Sequence, residues 1–170
     1  MMKKSRSSDK SIENENMLSP PVVLGSLQSC EPVLITISHS GEEHGEVSLI
    51  TRGMLASLTN GWGLCFHEML PEPENHQFTY LMCEDNTVTI SRIGETASTV
   101  VHRAKETYVD SQETSKGTQS TSIFTHFVQI KRRGRTGQIR LSYQMNYGEA
   151  TFPQTEIYSR RLNIRFRPCK

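Results

Sequence analysis

One stretch of this sequence places histidines and carboxylates close together, and these are residue types that bind metal ions. The stretch HSGEEHGE brings His39 and His44 near Glu42 and Glu43. Residues five apart in a hairpin loop share no enforced face, whereas the helical H-E-x-x-H pattern places both histidines on one side. We therefore interpret this stretch as an exposed polar turn and predict no metal site.

The cysteines are too far apart to form a metal or redox centre. No two of them form the C-x-x-C pair that zinc sites and thioredoxin-like centres use. Thiols inside strand-like runs act as small apolar side chains, and reduced cysteines are typical of a cytoplasmic protein. The four residues concerned are Cys30, Cys65, Cys83 and Cys169.

Motifs for nucleophilic catalysis and for phosphate-binding loops are absent from the sequence. There is no G-x-S-x-G element, and no Gly-rich loop leads from a strand into a helix. Adjacent carboxylates occur at Glu42-Glu43 and Glu84-Asp85, in predicted turns where water solvates them. We predict that the protein is not an enzyme and uses no cofactor.

Formal charge is distributed unevenly along the chain, although its net value is +1. Between Glu31 and Lys116 there are five Lys or Arg and thirteen Asp or Glu. Between Lys131 and Lys170 there are ten Lys or Arg and two Asp or Glu. Such an asymmetry indicates a binding face, or two halves that complement each other within one fold.

The elements that must position these residues are β-strands. Asn60-Gly61, between two alternating runs, predicts a type I′ hairpin turn. GQIRLSYQMNY and RRLNIRFR, near the C-terminus, alternate apolar and polar residues, which is typical of antiparallel strands with one buried face. We expect a bend or bulge at Arg52-Gly53 and a turn at Glu84-Asp85-Asn86. For residues 120–130 the sequence does not decide which alternate side chains face the core, because a one-residue bulge would exchange the buried and the exposed set.

Eight to ten strands joined by short turns predict an all-β protein, and a single closed antiparallel barrel leaves no sheet edge unprotected. We assign residues 1–30 to a disordered polar tail and residues 31–170 to the barrel domain. The N-terminus has no signal-peptide apolar core, and no window has the roughly 18 apolar residues of a membrane span. The expected location is the cytoplasm, without membrane association.

Several short motifs follow one another in an order that resembles the YwiB-like family of small bacterial β-barrel proteins. They are TRGMLASLTNGWGLCFHEM, TVTISRIGE, SKGTQSTSIFTHFVQI and GQIRLSYQMNYGE, and the shared pattern covers roughly residues 32–167. The resemblance implies a calycin-like, lipocalin-shaped barrel and a family without an established activity. It supplies no catalytic residue. The chain departs from the family in its longer tail, its Ser/Thr-rich segment 114–122 and its basic loop KRRGRTG.

A barrel of this size has an interior that side chains fill or that holds one small ligand. Arg92, near a strand end, either closes the barrel through backbone carbonyls or anchors a ligand carboxylate or phosphate. Trp62 and Tyr143 are either core residues or walls of such a site. The leading hypothesis is a module that binds a small, partly apolar molecule at the mouth or lumen.

The basic C-terminal strands support an alternative, in which nucleic acid or an acidic protein binds their outer face. Two further interpretations are possible: the outer-strand arginines only keep the barrel soluble, or the acidic half of one copy binds the basic half of another. The sequence leaves the oligomeric state open. The candidate residues of the basic surface are Arg132, Arg133, Arg135, Arg140, Arg161 and Arg165.

Overall fold

The computed structural model describes residues 27–41, 45–69, 76–94, 97–114, 117–149 and 152–170. Most of the predicted tail therefore lies outside the described residues, while residues 27–30 belong to the first strand. The described chain contains no helix long and apolar enough to cross a membrane. Its ten strands are β1 (Leu27–Gly41), β2 (Gly45–Leu58), β3 (Gly61–Met69), β4 (His76–Glu84), β5 (Thr87–Ile93), β6 (Ser98–Arg103), β7 (Thr107–Thr114), β8 (Gly117–Arg133), β9 (Thr136–Glu149) and β10 (Phe152–Pro168).

The strands form one antiparallel sheet that curls into a nearly closed barrel, as the alternating sequence predicts. Their spatial order is β6-β5-β4-β3-β2-β1-β10-β9-β8-β7. The short connection from β6 to β7 carries the chain from one sheet edge to the other. There the Lys105 N–H donates to the Thr125 carbonyl at 2.7 Å, and the Thr125 N–H donates to the Glu106 carbonyl at 3.0 Å. These bonds join the two edges beside the β6–β7 turn.

The barrel has two different ends. Two-residue turns join β2 to β3, β4 to β5 and β8 to β9 at one end, which we call the turn end. The opposite end, where β1 connects to β2 and β3 connects to β4, is the mouth. Apolar inward side chains fill the half next to the turn end. The core includes Val33, Ile35, Leu55, Trp62, Leu64, Phe66, Leu81, Cys83, Val88, Ile90, Ile139, Leu141, Ile164 and Phe166.

The first hairpin is confirmed, but its turn lies one residue earlier than predicted. Leu58 pairs with Gly61, so Thr59 and Asn60 are the central residues. Neither has a positive φ, which a type I′ turn would require. Gly61 is needed for another reason, because a Cβ there would lie 2.1 Å from the Cys83 carbonyl oxygen of β4.

Gly53 also serves close packing rather than a bulge. The pairing of β2 with β1 passes Gly53 without a register shift, so the bulge predicted at Arg52-Gly53 is not formed. A Cβ at Gly53 would lie 2.5 Å from both the Ile35 Cδ1 and the Cys65 carbonyl oxygen. The predicted turn after Glu84 is present, with Asp85 at a φ of 51°.

A β-bulge in β8 explains why the parity of residues 120–130 was ambiguous. Thr125 pairs with Tyr143 and Phe127 with Ser142, so His126 is the extra residue. Before the bulge Ile123 and Thr125 face the interior. After it Val128 and Ile130 do so, which leaves Phe127 on the outer face, 43% exposed.

Candidate functional site

Polar side chains line the barrel interior toward the mouth and along the seam between β6 and β8. Strand alternation directs them inward, on the same faces as the core residues of their own strands. Arg92, for example, pairs with Thr79, and Thr125 pairs with Tyr143, which in turn pairs with Arg160. We call this set the mouth cluster: His39, Glu68, Thr79, Arg92, His102, Thr125, Tyr143 and Arg160.

The first part of the mouth cluster is an ion pair supported by a hydroxyl. Arg92 Nε lies 3.6 Å from Glu68 Oε1, and the buried Thr79 hydroxyl donates to the same oxygen at 2.7 Å. The side chains of Arg92 and Glu68 are 37% and 20% exposed. Within the described chain the terminal NH₂ groups of Arg92 have no hydrogen-bond partner. The guanidinium can therefore donate further hydrogen bonds toward the mouth.

The second part is a buried histidine at the barrel seam. His102 Nδ1 lies 2.9 Å from the Thr125 hydroxyl, and its ring centroid lies 4.9 Å from that of Tyr143. Burial, and then the positive charge of Arg92, lower the pKa of His102 to about 4. The imidazole is consequently neutral at pH 7. Its hydrogen bond joins β6 to β8 across the seam.

A hydroxyl beside an imidazole is also the arrangement of an activated nucleophile, so its geometry bears on catalysis. Here both partners are inaccessible, since His102 is 3% exposed and Thr125 is 0% exposed. A group with a pKa of about 4 is a weak base at neutral pH. The pair fits closure of the barrel better than proton transfer to a substrate.

His39 lies half-buried in β1 and not in the exposed turn predicted for it, and together with Arg160 it forms the third part of the mouth cluster. Burial first, then the charges of Arg160 and Arg92, lower the pKa of His39 below its usual value. Because two separate guanidinium groups act on His39, positive charge converges on one region of the interior. A neutral imidazole there remains able both to donate and to accept a hydrogen bond.

Two of the three predicted ligand contacts belong to this region, and the third does not. Arg92 acts on His102, and the His102 ring packs against Tyr143. Trp62 is the second residue of β3 and lies at the turn end, where its ring is 5.1 Å from that of Phe166. Its partner on β4, Cys83, is four residues from Thr79, the partner of Arg92, or roughly 13 Å along the strand.

The six arginines of the predicted basic surface occupy two different places. Arg133, Arg140, Arg161 and Arg165 are exposed on the outer face. Arg132 instead covers the turn end, with its guanidinium carbon 5.7 Å from the Trp62 ring centroid and a 3.0 Å hydrogen bond to the Ser57 hydroxyl. Arg135 lies 3.4 Å from a Glu31 carboxylate oxygen and donates to the Pro32 carbonyl.

Sequence reasoning identified Arg92 and Tyr143 but missed the other six members of the mouth cluster, which are His39, Glu68, Thr79, His102, Thr125 and Arg160. For Glu68 a signal existed, because it continues the parity of Trp62, Leu64 and Phe66 along β3. Thr79 likewise alternates with the outward aromatics of β4. His102 gave no such signal, since its contact with Thr125 depends on how the two sheet edges meet.

Comparison with solved structures supports the fold. The crystal structure of ywiB protein from Bacillus subtilis superposes with a TM-score of 0.70 over 86% of this chain and 98% of that chain. The sequences are 14% identical, so the likeness concerns the fold alone. No curated protein matches the sequence.

A sequence model of one protein family matches residues 33–158, which extend from the first core residue of β1 into β10. That segment contains the entire cluster except Arg160. The chain therefore belongs to the family described as a domain of unknown function, DUF1934.

Proposed function

We propose that this protein is a non-catalytic, cytoplasmic binding module that takes a small anion in the mouth of its barrel. The ligand class is a carboxylate or phosphate monoester with a short apolar part. The observation that carries the proposal is the half-exposed guanidinium of Arg92, whose terminal NH₂ groups have no partner among the described residues. Planar guanidinium groups bind carboxylates and phosphates through two parallel hydrogen bonds.

The filled half of the barrel limits how deep a ligand can enter. Trp62, Phe166 and Leu64 close the interior toward the turn end. Residues above them are accessible, since Ile37 is only partly buried and Val47, the partner of His39, is 58% exposed. A ligand whose charged group reaches Arg92 would place its apolar part against these side chains.

Glu68 competes with such a ligand for the same arginine. A carboxylate oxygen 3.6 Å from Arg92 Nε already neutralises part of its charge. Substituting Glu68 by Gln removes the charge, while the amide oxygen still accepts the Thr79 hydrogen bond. We expect E68Q to bind an anion about tenfold more tightly, and R92Q to lose binding.

Native mass spectrometry of the full chain, purified at low salt from its own cells, tests this proposal. The wild-type protein is expected to carry a bound small mass that R92Q lacks. R103Q is the matched control, because Arg103 is exposed and pairs with Glu106 outside the mouth. Titration calorimetry with inorganic phosphate and butyrate then compares wild type, E68Q and R103Q.

Two results would contradict the proposal. One is equal affinity of E68Q and wild type for both probes, which would leave the Glu68–Arg92 pair with a structural role. The other is a bound mass retained by R92Q. Thermal unfolding of each variant separates loss of binding from loss of folding.

A further inference from the structure

The outer face of five neighbouring strands is strongly basic and largely unpaired. We call the outward side of β2, β1, β10, β9 and β8 the basic wall. Its described side chains include a single carboxylate, Glu46. None of its cations forms an ion pair with a described residue. Those cations are Arg52, Lys131, Arg133, Arg140, Arg161, Arg165 and Arg167.

The strand registers set the spacing of these charges. Arg165 and Arg167 lie two residues apart on β10, or about 6.6 Å along the strand. Arg140 lies on the neighbouring strand opposite Asn163, between the levels of Arg161 and Arg165. Steps of this length match neighbouring phosphates of an extended polynucleotide strand better than they match one compact anion.

Grooves run between the charged rows. One, of about 540 Å³, has Leu34, Thr36, Lys131, Arg165 and Arg167 among its lining residues. A second, of about 270 Å³, is lined by Phe127, Arg140 and Arg161, and also by Glu46, the one described carboxylate of the wall. Each groove therefore combines guanidinium groups with an apolar or aromatic surface.

A cluster of aromatic rings lies beside the basic wall. His67 and Phe78 have ring centroids 4.6 Å apart, and so do Phe78 and Tyr80. All three side chains face outward, because Phe66 and Thr79 next to them face the interior. The pairing of Gly53 with Phe66 brings Arg52 of the basic wall across from His67. Charged groups and rings thus form one continuous surface.

We propose that the basic wall and the adjoining rings of His67, Phe78 and Tyr80 bind single-stranded nucleic acid. Cations along the wall contact phosphates, and the rings stack on unpaired bases, the two elements of sequence-tolerant single-strand binding. An acidic protein would use the cations but has no need of the rings. The described strands and turns offer no helix to enter the major groove of a duplex. This proposal does not depend on the ligand in the mouth.

Fluorescence anisotropy with labelled 12-nucleotide RNA, the same sequence as DNA, and the corresponding duplex tests the proposal on the full chain. Wild type is expected to bind both single strands more tightly than the duplex. Its affinity should fall about a thousandfold between 50 and 200 mM salt if all seven cations contact phosphates. R165Q/R167Q is compared with R103Q/K105Q, which removes the same charge from the end of β6 and the β6–β7 turn, outside the five strands of the wall. The wall variant should reduce the slope of log Kd against log salt by about 1.4.

The ring cluster is tested separately with F78A and Y80A. Each is expected to weaken single-strand binding roughly 5- to 100-fold with little change in the salt slope. Wild-type binding to polyglutamate as tight as to RNA, or ring variants that bind normally, would overturn the proposal in favour of a general polyanion surface. Equal effects of the two charge-removing variants would overturn it as well.

Discussion

Protonation of His102 makes the stability of the barrel depend on pH. The side chain is 3% exposed, and its pKa is lowered to about 4, first by burial and then by Arg92. In the unfolded chain a histidine titrates near 6.5. Between these values the unfolded state binds the proton more readily, so the free energy of unfolding falls as the pH decreases. The stabilisation is fully present above pH 6.5.

The size of this effect follows from the two pKa values. One pKa unit is about 1.4 kcal/mol, so the complete difference is about 3 kcal/mol. Between pH 7.5 and 4.5 His102 alone lowers the free energy of unfolding by about 2.5 kcal/mol. For a chain of this length that corresponds to a decrease in Tm of roughly 5–10 °C.

Urea unfolding at both pH values, followed by the far-UV circular dichroism of the strands, measures the effect in wild type, H102Q and H67Q. The H102Q amide keeps a hydrogen-bonding group near Thr125 but does not titrate. Its free energy of unfolding is expected to fall about 2.5 kcal/mol less than that of wild type, because carboxylate titrations are common to all three proteins. H67Q changes an exposed histidine and should follow wild type. The same pH dependence in H102Q and wild type would refute the reasoning.

Two further predictions concern close packing and thiol reactivity. G53A places a methyl group 2.5 Å from Ile35 Cδ1, whereas the nearest atom to a Cβ at Gly41 is 3.4 Å away. Urea unfolding should therefore show that G53A is about 1–3 kcal/mol less stable than G41A. Equal stability of the two variants would mean that β2 moves to accept the methyl group. Burial raises the pKa of the Cys83 thiol to about 12, while Cys30 is exposed. Because the thiolate is the reactive form, maleimide labelling and peptide mapping should find Cys30 modified in the native protein and Cys83 only after denaturation. Equal labelling rates would show that the core opens.

The strands could be predicted because their local pattern and their tertiary role agree. GQIRLSYQMNY alternates, and Ile139 and Leu141 face the core as the alternation requires. The turn after Leu58 differs from the predicted type I′ turn at Asn60-Gly61. The close approach of β4 to Gly61, rather than the φ preference of Asn60, determines where the glycine lies. Turn type here depends on a neighbouring strand that a short window cannot include.

The candidate site was predictable only in part, for the same reason. Arg92 was identifiable as an arginine near a strand end, and Tyr143 by its parity. Arg132 continues the inward parity that begins after the bulge at His126, so its position over Trp62 requires knowing that the bulge exists. A run of basic residues in a loop gives no indication that one of them closes the barrel.

Two adjacent arginines of β10 contribute to the two proposed surfaces, one on each face of the sheet. Arg160 faces the interior beside Tyr143, and Arg161 faces outward beside Ser142. Because successive side chains of a strand point to opposite faces, the dipeptide contributes one cation to the mouth and one to the basic wall. A register shift of one residue would exchange them, so the pairing of β10 with β1 and β9 determines both surfaces at once. The sheet wall between them allows an anion inside and a polynucleotide outside to bind independently.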